Sequence, residues 1–198
     1  MRYQYPLSLS FKIIALAPQA SVRDATGQEI LYVKQKLLRL KEKIRVFADA
    51  SQSRLLYEIN ADRVLDISPR FTFTDDTGQV AGAVKRRGAR SLWRSTYDVT
   101  AADGSTLLIE EENPWVKLLD GILGEIPILG AFTGFFLHPT YAVRELPANR
   151  DVLRVRKHRS FFESQFSIEL DGGGPAEAAE TAALLAILTM VLLERERG

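Results

Sequence analysis

Short polar turns interrupt strand-like segments at a regular interval along the chain. Residues 24–28 (DATGQ) return nearly unchanged as residues 75–79 (DDTGQ), with residues 49–53 (DASQS) between them and residues 103–105 (DGS) after them. Asp hydrogen-bonds the backbone two residues on and Gly accepts a positive φ, so both suit tight turns. The leading aspartates at positions 24, 49, 76 and 103 are 25, 27 and 27 residues apart. This rhythm predicts four β-hairpins.

The segments around these turns read as strands. In Trp93–Val99, residues 93, 95, 97 and 99 share one face because side chains alternate along a strand. Residues 151–155, and the alternating positions from Phe162 to Leu170, predict further strands after position 141. A meandering antiparallel sheet that closes or folds over itself is therefore expected. The other flanking segments are Glu29–Val33, Ile44–Phe47, Leu55–Ile59, Arg70–Phe73 and Leu107–Ile109.

One stretch, residues 33–47, permits two interpretations. Its apolar residues at 33, 37, 40, 44 and 47 are spaced as on an amphipathic helix. The same residues also fit strands, with cations at 39, 41, 43 and 45 on one side. Periodicity leaves the choice open, and the surrounding hairpin rhythm favours strands.

The C-terminal region predicts a helix over residues 175–194. Pro175 suits a first helical position, and Glu177 and Glu180 suit the positive end of the helix dipole. Residues 182–193 (AALLAILTMVLL) are uncharged and almost wholly apolar on every face, so lipid or protein must surround them. Twelve residues are few for a bilayer, which needs about 20. We therefore expect this helix, about 30 Å long at 1.5 Å per residue, inside the protein.

Residues 114–140 form an apolar, Gly-rich insertion. Twelve of them, 126–137 (IPILGAFTGFFL), carry no charge and are too few to span a bilayer as a helix. The segment is either a buried connection that caps the fold, or a membrane-dipping loop or partner-binding patch. The candidate patch residues are Ile126, Ile128, Leu129, Phe132, Phe135 and Phe136.

Composition bounds the chemistry. The 198 residues suit one domain, 1–198, and 46% hydrophobic with 26% charged residues is a globular balance. The chain has no cysteine and two histidines, which excludes disulfides and thiolate catalysis and disfavours a metal site. No phosphate loop, dinucleotide fingerprint or nucleophile elbow occurs. We expect a protein without catalysis, metal or cofactor. The first twenty residues resemble a strand more than an export signal, so a cytoplasmic location is expected.

Basic clusters are the remaining candidate site. With 26 Lys and Arg against 25 Asp and Glu, the net charge is +1, so only local patches could bind anions. Such cations either blunt strand edges and maintain solubility, or form a face for anionic phospholipid or phosphoinositide. Nucleic acid is the weaker variant, since no groove-entering element accompanies the charges. The first two clusters are Lys85, Arg86, Arg87, Arg90, Arg94, and Arg154, Arg156, Lys157, Arg159. The third comprises Lys34, Lys36, Arg39, Lys41, Lys43, Arg45.

Two passages carry a family resemblance. Leu31–Asp49, a lysine-containing segment leading into an Asp turn, and the ending from Asp171 through the apolar run 182–193 are similar to the LURP-one-related family. That family has the tubby C-terminal fold, and phospholipid scramblases resemble it distantly. The resemblance implies a closed antiparallel barrel of about twelve strands around a central C-terminal helix.

These observations lead to two functional expectations. The first is a non-enzymatic tubby-like module that binds anionic phospholipid, or acts peripherally at a membrane surface, through the basic clusters. The alternative is a protein-interaction or homo-oligomerisation module that uses the apolar segment 114–140 and has no lipid ligand.

Overall fold

Twelve β-strands and one long α-helix make up the described part of the chain. The structure, a computed structural model, describes residues 2–12, 19–34, 43–62, 69–87, 96–112, 140–158 and 163–196. The first six strands are β1 (Leu7–Lys12), β2 (Gln19–Arg23), β3 (Glu29–Lys34), β4 (Ile44–Phe47), β5 (Leu55–Ala61) and β6 (Arg70–Asp75). The next six are β7 (Val80–Arg86), β8 (Thr96–Ala101), β9 (Thr106–Glu112), β10 (Thr140–Leu146), β11 (Arg150–His158) and β12 (Glu163–Leu170). Helix α1 spans Glu177–Glu196.

The strands form one closed antiparallel barrel. Each strand pairs with the next along the chain, and β1 pairs with β12, with Leu9 opposite Phe166. Closure leaves none of the described strands at an unpaired sheet edge, and such edges are where β-proteins associate wrongly. The predicted meander is confirmed, and so is the mainly β fold with about twelve strands. Of the ambiguous stretch 33–47, both ends are strand, while residues 35–42 lie outside the described residues.

Helix α1 lies in the lumen of this barrel. Every residue from Ala182 to Leu192 is at most 5% exposed. Eleven residues make three helical turns, so every face of the helix is covered. The covering side chains come from the inward positions of the strands, such as Phe73, Ile109 and Val143, which form one core cluster with the helix. The expectation of an apolar helix enclosed by protein is confirmed.

The helix begins two residues later than the sequence predicts. The amide of Glu180 donates to the carbonyl oxygen of Ala176 at 2.7 Å, which makes Ala176 the N-cap residue. Pro175 therefore precedes the N-cap and does not occupy the first helical position, and the helix ends at Glu196 instead of residue 194. Composition marked the correct region, but the first main-chain hydrogen bond decides the boundary.

The third turn is led by Asp75 and not by Asp76. Asp24 Oδ1 accepts hydrogen bonds from the amides of Thr26 at 2.9 Å and Gln28 at 3.0 Å. Asp75 repeats this pattern with the amides two and four residues on, at 3.0 and 2.9 Å. Asp76 is exposed in the middle of the turn. The prediction that Asp76 leads this turn is therefore wrong. The carboxylate that accepts the hydrogen bond comes two residues before the donating amide, and the donor here is Thr77.

Candidate functional site

Strand direction gives the barrel two chemically different rims. Because every neighbouring pair is antiparallel, all odd-numbered strands run one way and all even-numbered strands run the other. The odd strands therefore end, and the even strands begin, at one rim, which we call the basic rim. The even strands end at the opposite rim, which we call the Asp-turn rim. Helix α1 follows β12, so it begins at the Asp-turn rim.

The Asp-turn rim carries carboxylates held in the charged form. Hydrogen bonds from the side chains of Thr26, Ser51, Thr77 and Ser105 each lower the pKa of the aspartate that leads the turn. Backbone amides of the same turns lower it further, because hydrogen bonds to a carboxylate favour its ionised state. These aspartates are therefore negatively charged at neutral pH. The leading aspartates are Asp24, Asp49, Asp75 and Asp103.

The described part of the first basic cluster lies at the end of β7, on the basic rim. Lys85 is exposed and stands opposite Arg70 of β6, so two cations share one outer face. Arg86 is half-buried and faces the other way, opposite Tyr97 of β8. Arg87 binds both carboxylate oxygens of Asp98, at 2.7 to 3.0 Å, and these hydrogen bonds raise the pKa of Arg87.

The second cluster is largely neutralised by neighbouring carboxylates. Arg154 pairs with Asp171 at 3.0 Å and Glu112 at 3.4 Å, and Arg156 pairs with Glu169 at 3.3 Å. Lys157 faces inward at the basic rim, with its ammonium 6.0 Å from the centroid of the Phe166 ring. These arginines therefore form part of an ion-paired ladder on the outer wall, which leaves little of their charge for an added anion.

The third cluster also reaches the basic rim. Lys34 ends β3 and is exposed, while Lys43 and Arg45 share Glu58 at 2.7 and 3.8 Å. Lys36, Arg39 and Lys41 lie outside the described residues. Within the described chain, Lys34, Arg70 and Arg86 have no carboxylate at ion-pair distance.

The alternating direction of the strands therefore places basic clusters that are separate in the sequence at the same end of the barrel. Clusters that are tens of residues apart in sequence lie at the same rim because each enters or leaves a strand there, at β3, β7 and β11, which are four strands apart around the barrel. Sequence reasoning missed Arg70, which lies within a strand segment and belongs to no charge run. The available signal was its position at the start of an even-numbered strand.

The remaining candidates fall outside the described residues. These are Arg90, Arg94 and Arg159, and the patch residues Ile126, Ile128, Leu129, Phe132, Phe135 and Phe136. The chain leaves β9 at Glu112 and re-enters β10 at Thr140, and both strand ends belong to the basic rim.

The remaining findings concern metal ions, membrane-spanning helices and similar proteins. Among the described residues, no group of three or more His, Asp and Glu side chains is placed to hold a metal ion. No helix within the described ranges combines the length and apolarity needed to cross a bilayer. Compared with models of known families and with curated proteins, the chain matches none of them.

Proposed function

We propose that this protein binds anionic phospholipid surfaces through the basic rim and acts without catalysis. The observation that carries the proposal is the separation of charge along the barrel axis. Lys34, Arg70, Lys85 and Arg86 lie at one rim, and the hydrogen-bonded aspartates lie at the other. Each cation close to an anionic membrane contributes about 1 kcal/mol of binding free energy.

This charge separation also gives the protein an orientation at the membrane. An anionic surface attracts the basic rim and repels the Asp-turn rim. Because the Debye length is about 8 Å at physiological salt, the surface acts mainly on the charges of the rim that is nearest to it. The axis of the barrel is then steered toward the membrane normal. A net charge of +1 would by itself give little attraction. The distribution of the charges, and not their sum, supports binding.

The family assignment belongs to the same proposal. A closed twelve-stranded barrel around a C-terminal helix is the architecture that the resemblance to the LURP-one-related family implies, and the barrel observed here is compatible with it. We assign the protein to that tubby-like group and place it peripherally on the cytoplasmic face of a membrane.

Co-flotation with liposomes tests the function. We expect flotation with vesicles that contain phosphatidylserine or phosphatidylinositol phosphate, no flotation with phosphatidylcholine alone, and loss of binding at high salt. The double variant Lys85→Glu and Arg86→Glu should abolish flotation. The matched control is Arg23→Glu and Arg54→Glu, which changes the charge equally at the Asp-turn rim. Equal loss in both variants, or flotation that ignores lipid charge, would contradict the proposal.

The same samples address the alternative function. Light scattering reports the oligomeric state of the full chain and of a variant without residues 126–137. A change in oligomeric state on deletion, together with no flotation on any vesicle, would favour a protein-interaction role for segment 114–140.

A further inference from the structure

A polar groove lies on the outer wall of the barrel, beside the ion-paired ladder: its Ser167 stands opposite Arg156 and donates to Glu169 Oε1 at 3.3 Å. It crosses β11, β12, β1, β2 and β3 and has a volume of about 510 Å³. The size falls within the range of small-molecule sites. Its outward positions carry Ser8, Ser10, Ser21 and Ser167, which are too short to fill the surface. Tyr32 and Ala50 of the β4–β5 turn also line it.

The β4–β5 turn that borders the groove is fixed in place. The amide of Ala50 donates to Glu29 Oε2 at 2.7 Å, which ties this turn to β3. Tyr32, on the outer face of the same strand, is only 7% exposed. The groove is therefore a formed feature of the barrel wall, because its floor consists of paired strands and one side is held by the hydrogen bond from Ala50 to the partly buried Glu29.

Hydroxyl and amide groups dominate the chemistry of the groove. Ser10 and Ser21 hydroxyls are 3.0 Å apart, and His158 Nε2 lies 2.9 Å from Ser167 Oγ. Tyr32 also lines the groove. Burial, and then the charge of Glu29, raise the pKa of Tyr32, so the phenol remains a donor at neutral pH.

The charged residues of the groove are already engaged. Arg23 pairs with Glu29 at 3.4 Å, and Lys12 also has an interaction within the chain. A free anion would therefore gain less here than at the basic rim. A neutral molecule with many hydroxyls both donates and accepts hydrogen bonds, as do serine, tyrosine and glutamine side chains.

We infer that this groove binds a small neutral saccharide. The Tyr32 hydroxyl, the serine hydroxyls and the Gln165 carboxamide supply the hydrogen bonds, and the Tyr32 ring borders the site. The groove is open to solvent along its length and covers one side of a ligand, so we expect dissociation constants of about 1 mM. The groove reaches the basic rim at Lys12 and Gln19, but none of the four cations that carry the lipid proposal lines it, so the inference does not depend on that proposal.

An NMR titration of the full chain without lipid tests the inference. The probes are glucose, galactose, N-acetylglucosamine and maltose, with inorganic phosphate as the anionic comparison. We expect saturable shifts of β1, β2 and β12 amides with at least one sugar and none with phosphate. Ser21→Leu fills the groove and should weaken sugar binding by about tenfold or more. Thr72→Leu is the control, since Thr72 is also half-buried on the outer wall but lies on β6.

Three outcomes would overturn the inference. One is the absence of saturable shifts with all four sugars, and another is binding of phosphate alone. The third is sugar binding that survives in Ser21→Leu while the amide spectrum of that variant shows an intact barrel. None of these outcomes bears on liposome flotation, so failure of the groove and failure of the lipid proposal are distinguishable.

Discussion

At Gly82 the barrel wall comes close to the central helix. A Cβ atom added there would lie 2.7 Å from the carbonyl oxygen of Thr100 and 3.0 Å from the Cβ of Ala182. The first distance is shorter than real Cβ contacts allow, and the obstructing atom is main chain that is fixed by the β7–β8 pairing. The φ of Gly82 is +153°, a conformation that residues with a side chain rarely adopt.

Gly82→Ala should therefore destabilise the fold by two separable effects. Backbone strain in such a region costs about 1–3 kcal/mol. Forcing an extra methyl group into a packed core costs about a further 1–3 kcal/mol. The expected loss is about 2–6 kcal/mol, a large part of the 5–15 kcal/mol that typically holds a domain together.

Guanidinium unfolding followed by circular dichroism measures this loss, and Gly78→Ala separates its two parts. Gly78 also has a positive φ, +85°, but a Cβ there would meet nothing within 4 Å. The control should therefore show strain alone, at about 1–2 kcal/mol. If the unfolding free energies of the two variants agree within about 0.5 kcal/mol, the close contact between β7 and α1 does not constrain the residue at position 82.

Three further predictions concern the lumen and the turns. Tyr5→Phe should raise the unfolding free energy by up to about 1 kcal/mol in the same assay, because the buried Tyr5 hydroxyl has no hydrogen-bond partner among the described residues. Burial, and then the Glu180 carboxylate, raise the pKa of Tyr5, so this hydroxyl stays neutral. A loss of stability would instead mean that this hydroxyl donates to Glu180. Leu185→Ala, at a site 1% exposed, should cost about 2–5 kcal/mol by leaving a cavity, and a loss below that range would contradict the enclosed position of α1. Thr77→Val should raise the pKa of Asp75, observed by carboxyl NMR titration. Because the pKa of Asp75 is lowered in the folded state, the hydrogen bond from Thr77 stabilises the folded protein above pH 3.8, the pKa of an unperturbed aspartate. This contribution disappears as the pH falls through the folded pKa, so the unfolding free energies of wild type and variant should converge in acid.

Buried polar groups at the Asp-turn rim were not visible in the sequence. Glu180 was expected only to complement the helix dipole, but it is fully buried and its Oε2 accepts the Arg2 amide at 2.6 Å. This contact joins residues 178 positions apart and ties the N-terminal segment to the start of the lumen helix. No local pattern encodes such a contact, because the barrel has to close before the two groups become neighbours.

The candidate site was likewise predictable from the sequence only in part. The sequence identified most of the cations, but it ranked Arg154 and Arg156 with Lys85 and Arg86. The closed sheet brings Glu169 of the neighbouring strand β12 to Arg156, and it brings Glu112 of β9 and Asp171, just after β12, to Arg154. Arg70 was overlooked because its neighbour Lys85 comes from another strand. Pairing and exposure depend on register, and register is a property of the closed sheet.

The sequence by itself determined the features that arise from short-range physics. Aspartate and glycine set the turns, two-residue alternation set the strands, and an apolar run without a polar face required an enclosed helix. Tertiary structure alone decided which cations are neutralised, which rim each charge occupies, and where the serine-lined groove lies. Those features depend on contacts between strands that are distant along the chain, and closure of the barrel fixes all of these contacts together.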